Sequence, residues 1–194
     1  MAAKTKGSPM ADIRIILAAA GLGRRYQAAG GAGNKLEQTI EGAPLFVKAL
    51  DNALASGLPV QVVTRPEYVN LHAFCQGRQV PVTKVYSTGL GQSIASGVAA
   101  SRDADGWLIL LADMPAVPSP IIRQVADALS CHDAARPRVK GKPGHPVGFG
   151  AKAREGLLAL AGDDGAKALL ATFKPHFIEC NDSGVATDID LPFR

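Results

Sequence analysis

The sequence predicts an α/β fold, a three-layer sandwich around a Rossmann-like, mostly parallel sheet. Residues 107–112 form a continuous apolar run, and residues 13–17 are apolar except for Arg14, which is the composition of strands that are buried on both faces. Strand-like and helix-like segments alternate through the first two thirds of the chain, which is the order of βαβ units with right-handed crossovers. Ligands of such sheets bind beyond the carboxyl ends of the strands, so function is expected in the turns that follow them.

Length and composition restrict the class of protein further. The 194 residues suit a single domain, assigned to residues 11–194, with enough aliphatic side chains to form a core. Residues 1–10 are interpreted as a disordered leader. The formal net charge of +4 comes with no basic block interleaved with aromatic residues, so no nucleic-acid partner is expected.

Cysteine spacing and hydropathy favour a cytoplasmic protein. The three cysteines are far apart in the sequence and none forms a C-x-x-C pair, which argues against a zinc ribbon or a disulfide framework. No apolar stretch approaches the length of a membrane span, and no signal peptide is recognisable. We therefore expect a cytoplasmic location without a membrane partner.

The remaining elements follow from local patterns along the chain. The helix predicted over residues 44–57 has an apolar face and ends at Gly57, and Pro66 suits the first turn of the next helix. Residues 137–150 are interpreted as a cationic, glycine-rich excursion that ends in a short strand. Further helices are predicted over 66–76, 92–101, 119–129, 151–161 and 164–174, and further strands over 60–64, 80–86, 146–149 and 176–180. The last two of these strands are interpreted as antiparallel additions at one side of the sheet.

The turn after the first strand combines small residues with fixed cations. It runs through Ala18, Ala19, Ala20, Gly21, Leu22, Gly23, Arg24 and Arg25, and Lys35 follows downstream. Small residues let a backbone approach a ligand closely, and backbone N–H groups together with guanidinium and ammonium groups are suited to bind phosphate. A tight βα turn with surface cations is the competing interpretation. A Walker A loop is excluded because Lys35 is not followed by Ser or Thr, and a dinucleotide fingerprint because Tyr26 stands where glycine is needed.

The stretch A-A-G-L-G-R-R, residues 19–25, resembles the signature loop of the nucleotidyltransferases with a MobA-like fold, with Lys35 as their downstream lysine. The resemblance implies the fold type of the nucleotide-diphospho-sugar transferases, and it implies that Arg25 and Lys35 are catalytic and offset charge on a triphosphate. The implied nucleotide-binding residues are Ala19, Ala20, Gly21, Leu22 and Gly23. The segment before Lys35 is longer than in the family pattern, and we expect it to be mobile because residues 28–33 offer no side chain to anchor it.

A carboxylate follows the second apolar run directly. Asp113 lies at a strand end, where it can share a crevice with the glycine-rich turn. Its segment resembles the L-x-D-x-P metal-binding element of the same families, which implies a catalytic, metal-binding role. Magnesium prefers one or two carboxylates together with phosphate oxygens and water, so Mg²⁺ is the expected cofactor. A turn or N-cap role for Asp113 is the alternative.

The terminal segment T-D-I-D-L-P, residues 187–192, supplies two further carboxylates and resembles the D-I-D-T-P element of molybdopterin cytidylyltransferases. On a strand, Asp188 and Asp190 would point the same way while Ile189 faces the core. Asp188 is the preferred second metal ligand, and Asp190 is assigned to the substrate side. A solvated edge near the terminus is the alternative, chiefly for Asp190.

Two further motifs complete the expected site. Gly89 and Ser93, within G-L-G-Q-S, match the second nucleotide loop G-x-G-x-S of the family, and plain helix capping is the alternative. Thr64, at the end of its strand, is expected to line the base pocket. His145, in G-H-P-V, resembles an element of the cytidylyltransferase branch and is assigned to the substrate, although a lone histidine on a glycine-rich loop is often structural.

Together these resemblances imply a Mg²⁺-dependent nucleotidyltransferase. The A-A-G form of the loop favours CTP over GTP. The expected acceptor is a phosphate-bearing pterin, molybdopterin or the molybdenum cofactor, and a molybdoenzyme or its maturation factor is the partner protein to consider. A transferase for a sugar or polyol phosphate, a guanylyltransferase, and a non-catalytic protein that binds or delivers the cofactor are the alternatives. Release of pyrophosphate in the presence of an acceptor separates the enzymes from the binding protein.

Overall fold

A computed structural model describes residues 11–163 and 165–192, and a large sheet covered on both faces by helices lies at its centre. The strands are β1 (Ile13–Ala19), β2 (Thr39–Ile40), β3 (Ala43–Pro44), β4 (Val60–Thr64), β5 (Val82–Lys84), β6 (Gly106–Leu111), β7 (Ala134–Val139), β8 (Lys142–Pro143), β9 (Val147–Gly150) and β10 (His176–Cys180). The helices are α1 (Arg24–Ala28), α2 (Leu45–Ala55), α3 (Val69–Gln76), α4 (Leu90–Ala100), α5 (Ser119–Ala128), α6 (Arg154–Leu158) and α7 (Lys167–Phe173). The expected leader, residues 1–10, lies outside the described residues, as does residue 164 at the start of the last predicted helix.

The strand order of the large sheet is β10-β7-β9-β6-β1-β4-β5, with β8 paired to β7. β1 lies inside the sheet, parallel to β6 on one side and to β4 on the other. The pairs that involve β8 or β9 are antiparallel, and the other described pairs of this sheet are parallel. The mostly parallel sheet of the prediction is confirmed, and the carboxyl ends of β1, β4, β5 and β6 meet at one edge.

The strands on one side of the sheet differ from the sequence-based expectation. β10 pairs parallel with β7, so its predicted antiparallel orientation is wrong, whereas β9 is antiparallel as predicted. No strand is predicted over β7, because Pro137 and two charged side chains, Arg136 and Arg138, interrupt its apolar pattern. The arginines are only partly buried and alternate with buried residues along the strand. An edge region with one open face does not produce the continuous apolar run of a central strand.

The predicted helix over residues 151–161 is shorter in the structure. A 3-10 turn, Ala151–Ala153, leads into α6, which ends at Leu158. The chain then turns before α7 with positive φ angles of 65° at Gly162 and 57° at Gly165. Glycine adopts this left-handed conformation without steric cost, so the two glycines permit a tight loop here.

Both faces of the sheet are buried, which explains the apolar composition of β1 and β6. On one face, Ile15 and Leu17 pack in a cluster with Phe46 of α2. On the other face, Ile16 packs in a cluster with Ile94 of α4. The three layers of the prediction are confirmed by these two cores. Among the described helices, none combines the length and the apolar character that crossing a membrane would require.

α4 approaches the sheet closely at Gly97. A Cβ atom placed on this residue would lie 2.5 Å from Cγ2 of Ile16 and 2.8 Å from Cγ2 of Val63. Real carbon atoms do not come so close, so glycine is what lets the helix backbone rest on the sheet. α4 is thereby seated over β1 and β4, with its first turn toward their carboxyl ends.

Gly97→Leu should destabilise the protein by about 1–3 kcal/mol, because the new side chain would overpack the contact between α4 and the sheet. Ala99→Leu introduces the same side chain on the exposed face of the same helix, and should change the free energy of unfolding by less than about 0.5 kcal/mol. Urea unfolding of both variants measures the difference. Equal stability of the two variants would show that the close approach at Gly97 does not hold α4 in place.

Candidate functional site

The carboxyl ends of β1 and β6 open into a cavity of about 480 Å³. Its walls include the glycine loop, residues 20–23, which follows β1, and the serine loop, residues 87–93, which leads into the first turn of α4. The lining residues that the sequence predicts as site residues are Ala19, Ala20, Gly21, Leu22, Gly23, Arg25, Lys35, Gly89, Ser93 and Asp113. Lining residues without a predicted role include Arg24, Ser87, Thr88 and Asp163. Motifs that are far apart in the sequence therefore meet at one site.

The glycine loop supplies free backbone donors to this cavity. Gly23 adopts the left-handed conformation, with φ 63°, where the loop enters α1. A Cβ atom placed on Gly21 would meet no other atom within 4 Å, so the space beside it is open. Among the described residues, no acceptor receives the N–H groups of Gly21, Leu22 or Gly23. These donors are available to an anion such as a phosphate group.

The long segment after the glycine loop is anchored, in contrast to the expectation. The side chain of Tyr26 is buried, and its hydroxyl donates to the carbonyl of Ala32 at 3.3 Å. A Cβ atom on Gly31 would fall 2.3 Å from the Tyr26 ring, so the small residues make room for the ring. Asn34 then accepts the N–H of Leu36 at 3.0 Å and caps the next turn. The expectation that no side chain anchors residues 28–33 is wrong, because Tyr26, which precedes them in the sequence, contacts both Gly31 and Ala32.

Lys35 lies between two carboxylates from distant parts of the chain. Its ammonium donates to Oδ2 of Asp113 at 2.7 Å and to Oδ1 of Asp190 at 3.0 Å, and its side chain is only 10% exposed. The guanidinium of Arg25 donates to the other carboxylate oxygen of Asp190 at 2.7 Å. These four residues, named here the lysine cluster, join the segment after the glycine loop to the end of β6 and to the terminal segment. A smaller cavity of about 210 Å³ lies beside Arg25, Lys35 and Asp190.

Ion pairing within the lysine cluster shifts the pKa values of Lys35 and Asp190. Burial by itself lowers the pKa of Lys35, but the attraction of Asp113 and hydrogen bonds to both carboxylates outweigh burial and raise this pKa above its usual value. Burial by itself raises the pKa of Asp190, but hydrogen bonds from Lys35 and Arg25 outweigh it and lower this pKa. Lys35 and Asp190 are therefore both charged across the neutral range.

Asp113 fits the role of a metal ligand. Its Oδ1 atom is buried and has no hydrogen-bond partner among the described residues, while Oδ2 is taken by Lys35. A carboxylate oxygen left free beside a phosphate-binding loop suits Mg²⁺, which completes its coordination with phosphate oxygens and water. Within the described part of the chain, no three His, Cys, Asp or Glu side chains group into a metal site. The residues present therefore fit a metal held jointly by protein and ligand.

The two terminal carboxylates do not share a strand face. Residues 187–190 form no strand, and the N–H of Ile189 donates to the backbone carbonyl of Asp113 at 3.0 Å. Asp190 turns to the lysine cluster, whereas Asp188 is exposed. The prediction of a common face is wrong because this segment pairs with a turn after β6 and not with a sheet edge. The Ile189 contact nevertheless keeps the backbone of Asp188 next to Asp113.

The serine loop is held by its own hydroxyl groups. Ser93 donates to Oγ of Ser87 at 2.8 Å, and Ser87 donates in turn to the carbonyl of Gly89. The proton of Ser93 is thus used inside the protein, and the lone pairs of its oxygen are left to accept from a ligand. A Cβ atom on Gly89 would lie 2.3 Å from the carbonyl oxygen of Gly162. This glycine, predicted to bind nucleotide, is therefore also required for the contact with the loop before α7.

Thr64 is not among the residues that line the cavity, contrary to the prediction. It is fully buried, and its Oγ1 atom has no hydrogen-bond partner among the described residues. Side chains alternate along β4, so Thr64 shares the face of Val62, which packs on the α2 side, whereas Val63 packs on the α4 side. The serine loop belongs to the α4 side, so Thr64 points away from it.

His145 is not among the residues that line the cavity. Its Nδ1 atom is 3.3 Å from the carbonyl oxygen of Ile109 in β6, and its backbone N–H donates to the carbonyl of Val185 at 2.7 Å. Burial lowers the pKa of His145 below its usual value. The guanidinium of Arg136 donates to the carbonyl of Gly144 and fixes the same loop. The contacts of His145 are thus structural, and its contact with a substrate stays a prediction.

The turn after β4 contacts both loops of the cavity. The guanidinium of Arg65 donates to the carbonyl of Ser87 in the serine loop at 2.9 Å. The hydroxyl of Tyr68 donates to the carbonyl of Gly21 in the glycine loop, also at 2.9 Å. This brace, Arg65 and Tyr68, ties two walls of the cavity to one short turn. Neither residue belongs to a motif in the sequence, and the one local signal is a cation, Arg65, directly after a buried strand.

Comparisons with known proteins identify the family and the fold of this chain. Residues 15–177 match the family model for the MobA-like NTP transferase domain. The purine catabolism protein PucB of Bacillus subtilis (strain 168) is 33% identical over 174 residues, which cover 82% of this chain and 84% of that protein. The nicotine blue oxidoreductase of Paenarthrobacter nicotinovorans is 28% identical over 193 residues, which cover 90% of each protein. The structure of Rv0371c from Mycobacterium tuberculosis H37Rv shares the fold, with a TM-score of 0.79 and 19% identity over 95% of each chain.

Asp190→Asn should destabilise the protein at neutral pH and progressively less as the solution is acidified. The pKa of Asp190 is lowered in the folded protein, so its stabilising effect is present above the unfolded pKa of about 4 and is lost as the pH falls through the folded value. Urea unfolding at several pH values measures the difference in free energy of unfolding between wild type and variant, which should shrink on acidification. For Asp103→Asn, an exposed control beyond the end of α4, this difference should be small at every pH. A difference for Asp190→Asn that stays constant down to about pH 3 would contradict the pairing of Asp190 with Lys35 and Arg25.

Proposed function

Because the chain belongs to the MobA-like NTP transferase family, we propose that it transfers CMP from CTP to a phosphate-bearing acceptor, the pterin of the molybdenum cofactor, and releases pyrophosphate. One observation carries the proposal: free backbone donors line the same cavity as a carboxylate that pairs with a lysine and keeps one oxygen without a partner among the described residues. The glycine loop contributes the donors, and Lys35 with Asp113 contributes the charged groups. A triphosphate requires this combination of N–H groups, cation and metal.

In the proposed reaction, an oxygen of the acceptor phosphate attacks the α-phosphorus of CTP. A P–O bond forms to the acceptor, the P–O bond to the β-phosphate breaks, and pyrophosphate leaves with the electron pair. The acceptor phosphate is already ionised at neutral pH, so the step depends on positioning and charge neutralisation more than on a general base. Lys35 and Arg25 contribute positive charge, and the glycine loop orients the triphosphate.

Mg²⁺, when bound, would neutralise further charge on the phosphates. Asp113 would hold the ion through the oxygen that has no partner among the described residues, and the neighbouring Asp188 is the second proposed ligand. Asp190 is engaged by Lys35 and Arg25, and we assign it to the substrate side, where it positions these two cations.

Support for CTP comes from the hydroxyl of Ser93. Because its proton is donated to Ser87, the oxygen favours a ligand group that donates. The 4-amino group of cytosine donates, whereas the 4-oxygen of uracil accepts. The A-A-G form of the glycine loop, which resembles the cytidylyltransferase branch, indicates the same nucleotide.

Asp113→Asn should abolish metal-dependent turnover in a protein that remains folded, because the amide keeps the shape of the side chain and removes the charge that binds the cation. The measurement is pyrophosphate release from CTP with molybdopterin as the acceptor, over a series of Mg²⁺ concentrations. Asp103→Asn, which removes a surface charge instead, should act like the wild type. Wild-type turnover by Asp113→Asn would refute the metal assignment. A wild-type protein that binds CTP and releases no pyrophosphate would favour the non-catalytic binding protein.

CTP should raise the melting temperature of the wild type more than UTP or GTP, each with Mg²⁺, since a ligand that binds only the folded state stabilises it by mass action. Ser93→Ala should narrow the difference between CTP and UTP by about 1–3 kcal/mol of binding free energy, because it removes the acceptor for the 4-amino group. Ser96→Ala is the matched control, since the Ser96 hydroxyl donates to Gln92 within α4. A preference for GTP would place the protein with the guanylyltransferases.

A further inference from the structure

One wall of the cavity carries a negative charge that the proposed reaction does not use. Asp163 lines the cavity beside the serine loop. Among the described residues, no cation pairs with its carboxylate and no donor bonds to it. Two cations of the cavity, Lys35 and Arg25, are instead engaged with Asp113 and Asp190. The carboxylate of Asp163 is therefore free to meet a ligand.

The loop that carries Asp163 is locked to the serine loop by backbone contacts. The N–H of Gly91 donates to the carbonyl of Gly162 at 2.9 Å. A Cβ atom on Gly89 would lie 2.3 Å from the Gly162 oxygen and 2.4 Å from Oδ1 of Asp163. A Cβ atom on Gly91 would lie 2.6 Å from the carbonyl oxygen of Ala161. Glycine at both positions lets the two backbones meet, and this fit holds the carboxylate of Asp163 against the serine loop.

Asp163 and the lysine cluster belong to different walls of the cavity. Asp163 lies against the serine loop, which is hydrogen-bonded to Arg65 after β4, whereas Asp113 of the lysine cluster follows β6. β1 lies between β4 and β6, so these two strand ends are two strand spacings, roughly 10 Å, apart. The carboxylate of Asp163 repels phosphate, whereas the free N–H groups of the glycine loop and a cation on the free oxygen of Asp113 attract it. We therefore expect the triphosphate at the glycine loop and Asp113, with its nucleoside toward Asp163.

We propose that Asp163 accepts a hydrogen bond from the nucleoside of the bound triphosphate, a specificity-determining contact that rests on the proposed transferase function. An ionised carboxylate only accepts hydrogen bonds, so its partner must be a donor. The nucleoside offers two kinds of donor, the ribose hydroxyls and an exocyclic amino group of the base. A charge-assisted hydrogen bond of this kind is stronger than a neutral one, so its loss is measurable as affinity.

Isothermal titration of wild type, Asp163→Ala and Asp163→Asn tests the proposal with CTP, UTP, 2′,3′-dideoxy-CTP and inorganic tripolyphosphate, each with Mg²⁺. Asp163→Ala should bind CTP about tenfold more weakly than the wild type. It should bind tripolyphosphate as well as the wild type or better, because a repelling charge is gone. Asp163→Asn keeps an acceptor oxygen and should lose less affinity for CTP. Asp103→Asn removes the same charge beyond the far end of α4 and should bind all four ligands like the wild type.

The ligand set also identifies the donor. If the ribose hydroxyls donate, Asp163→Ala weakens CTP and UTP by the same factor and leaves dideoxy-CTP unchanged. If the amino group of the base donates, the loss appears with CTP and dideoxy-CTP but not with UTP. Either pattern supports the proposed contact.

Two results would overturn this inference alone. Asp163→Ala could bind CTP like the wild type, or it could lose affinity for tripolyphosphate by the same factor as for CTP, which would make Asp163 a support of the phosphate site. A wild-type protein that binds no nucleoside triphosphate would overturn the inference together with the proposed function. Melting temperatures of the unliganded variants establish whether they are folded. If Asp163→Ala is not folded, the comparison of Asp163→Asn with the wild type tests the proposal.

Discussion

A nearly buried ammonium group fixes the geometry of this site. Lys35 is 10% exposed, and a cation so placed keeps its charge only if carboxylates compensate for the lost hydration. Asp113 and Asp190 do so from 78 and 155 residues away in the sequence. Both carboxylates must therefore reach the same ammonium group. This requirement fixes the relative positions of the segment after the glycine loop, the end of β6 and the terminal segment.

The same constraint defines the charge that a ligand meets. Within the lysine cluster, two cations, Lys35 and Arg25, are balanced by the carboxylates of Asp113 and Asp190. An incoming triphosphate therefore adds negative charge to a cluster that is already neutral. The backbone donors of the glycine loop can offset part of that charge, and a divalent cation on the free oxygen of Asp113 can offset more.

The fold class and the centre of the site could be predicted because their signals are contiguous in the sequence. Buried parallel strands give apolar runs, and the glycine loop and Asp113 directly follow such runs. An apolar pattern indicates burial and not strand direction, so the sequence does not predict that β10 is parallel to β7. The prediction for Thr64 is wrong because a strand end has two faces, and only packing decides which face a side chain takes. The roles of Asp163, Arg65 and Tyr68 depend on contacts between distant segments, which no local pattern contains.

The brace has a consequence for the thermodynamics of binding. Arg65 is almost fully buried, and it shares one short turn with Tyr68, so that this turn holds a carbonyl of each loop. If either loop moved away from that turn it would break a hydrogen bond, so the brace favours the cleft as it stands before a ligand binds. A cleft that is already formed loses little conformational entropy on binding. The free energy of each contact with a ligand then appears as affinity and is not consumed in ordering the loops.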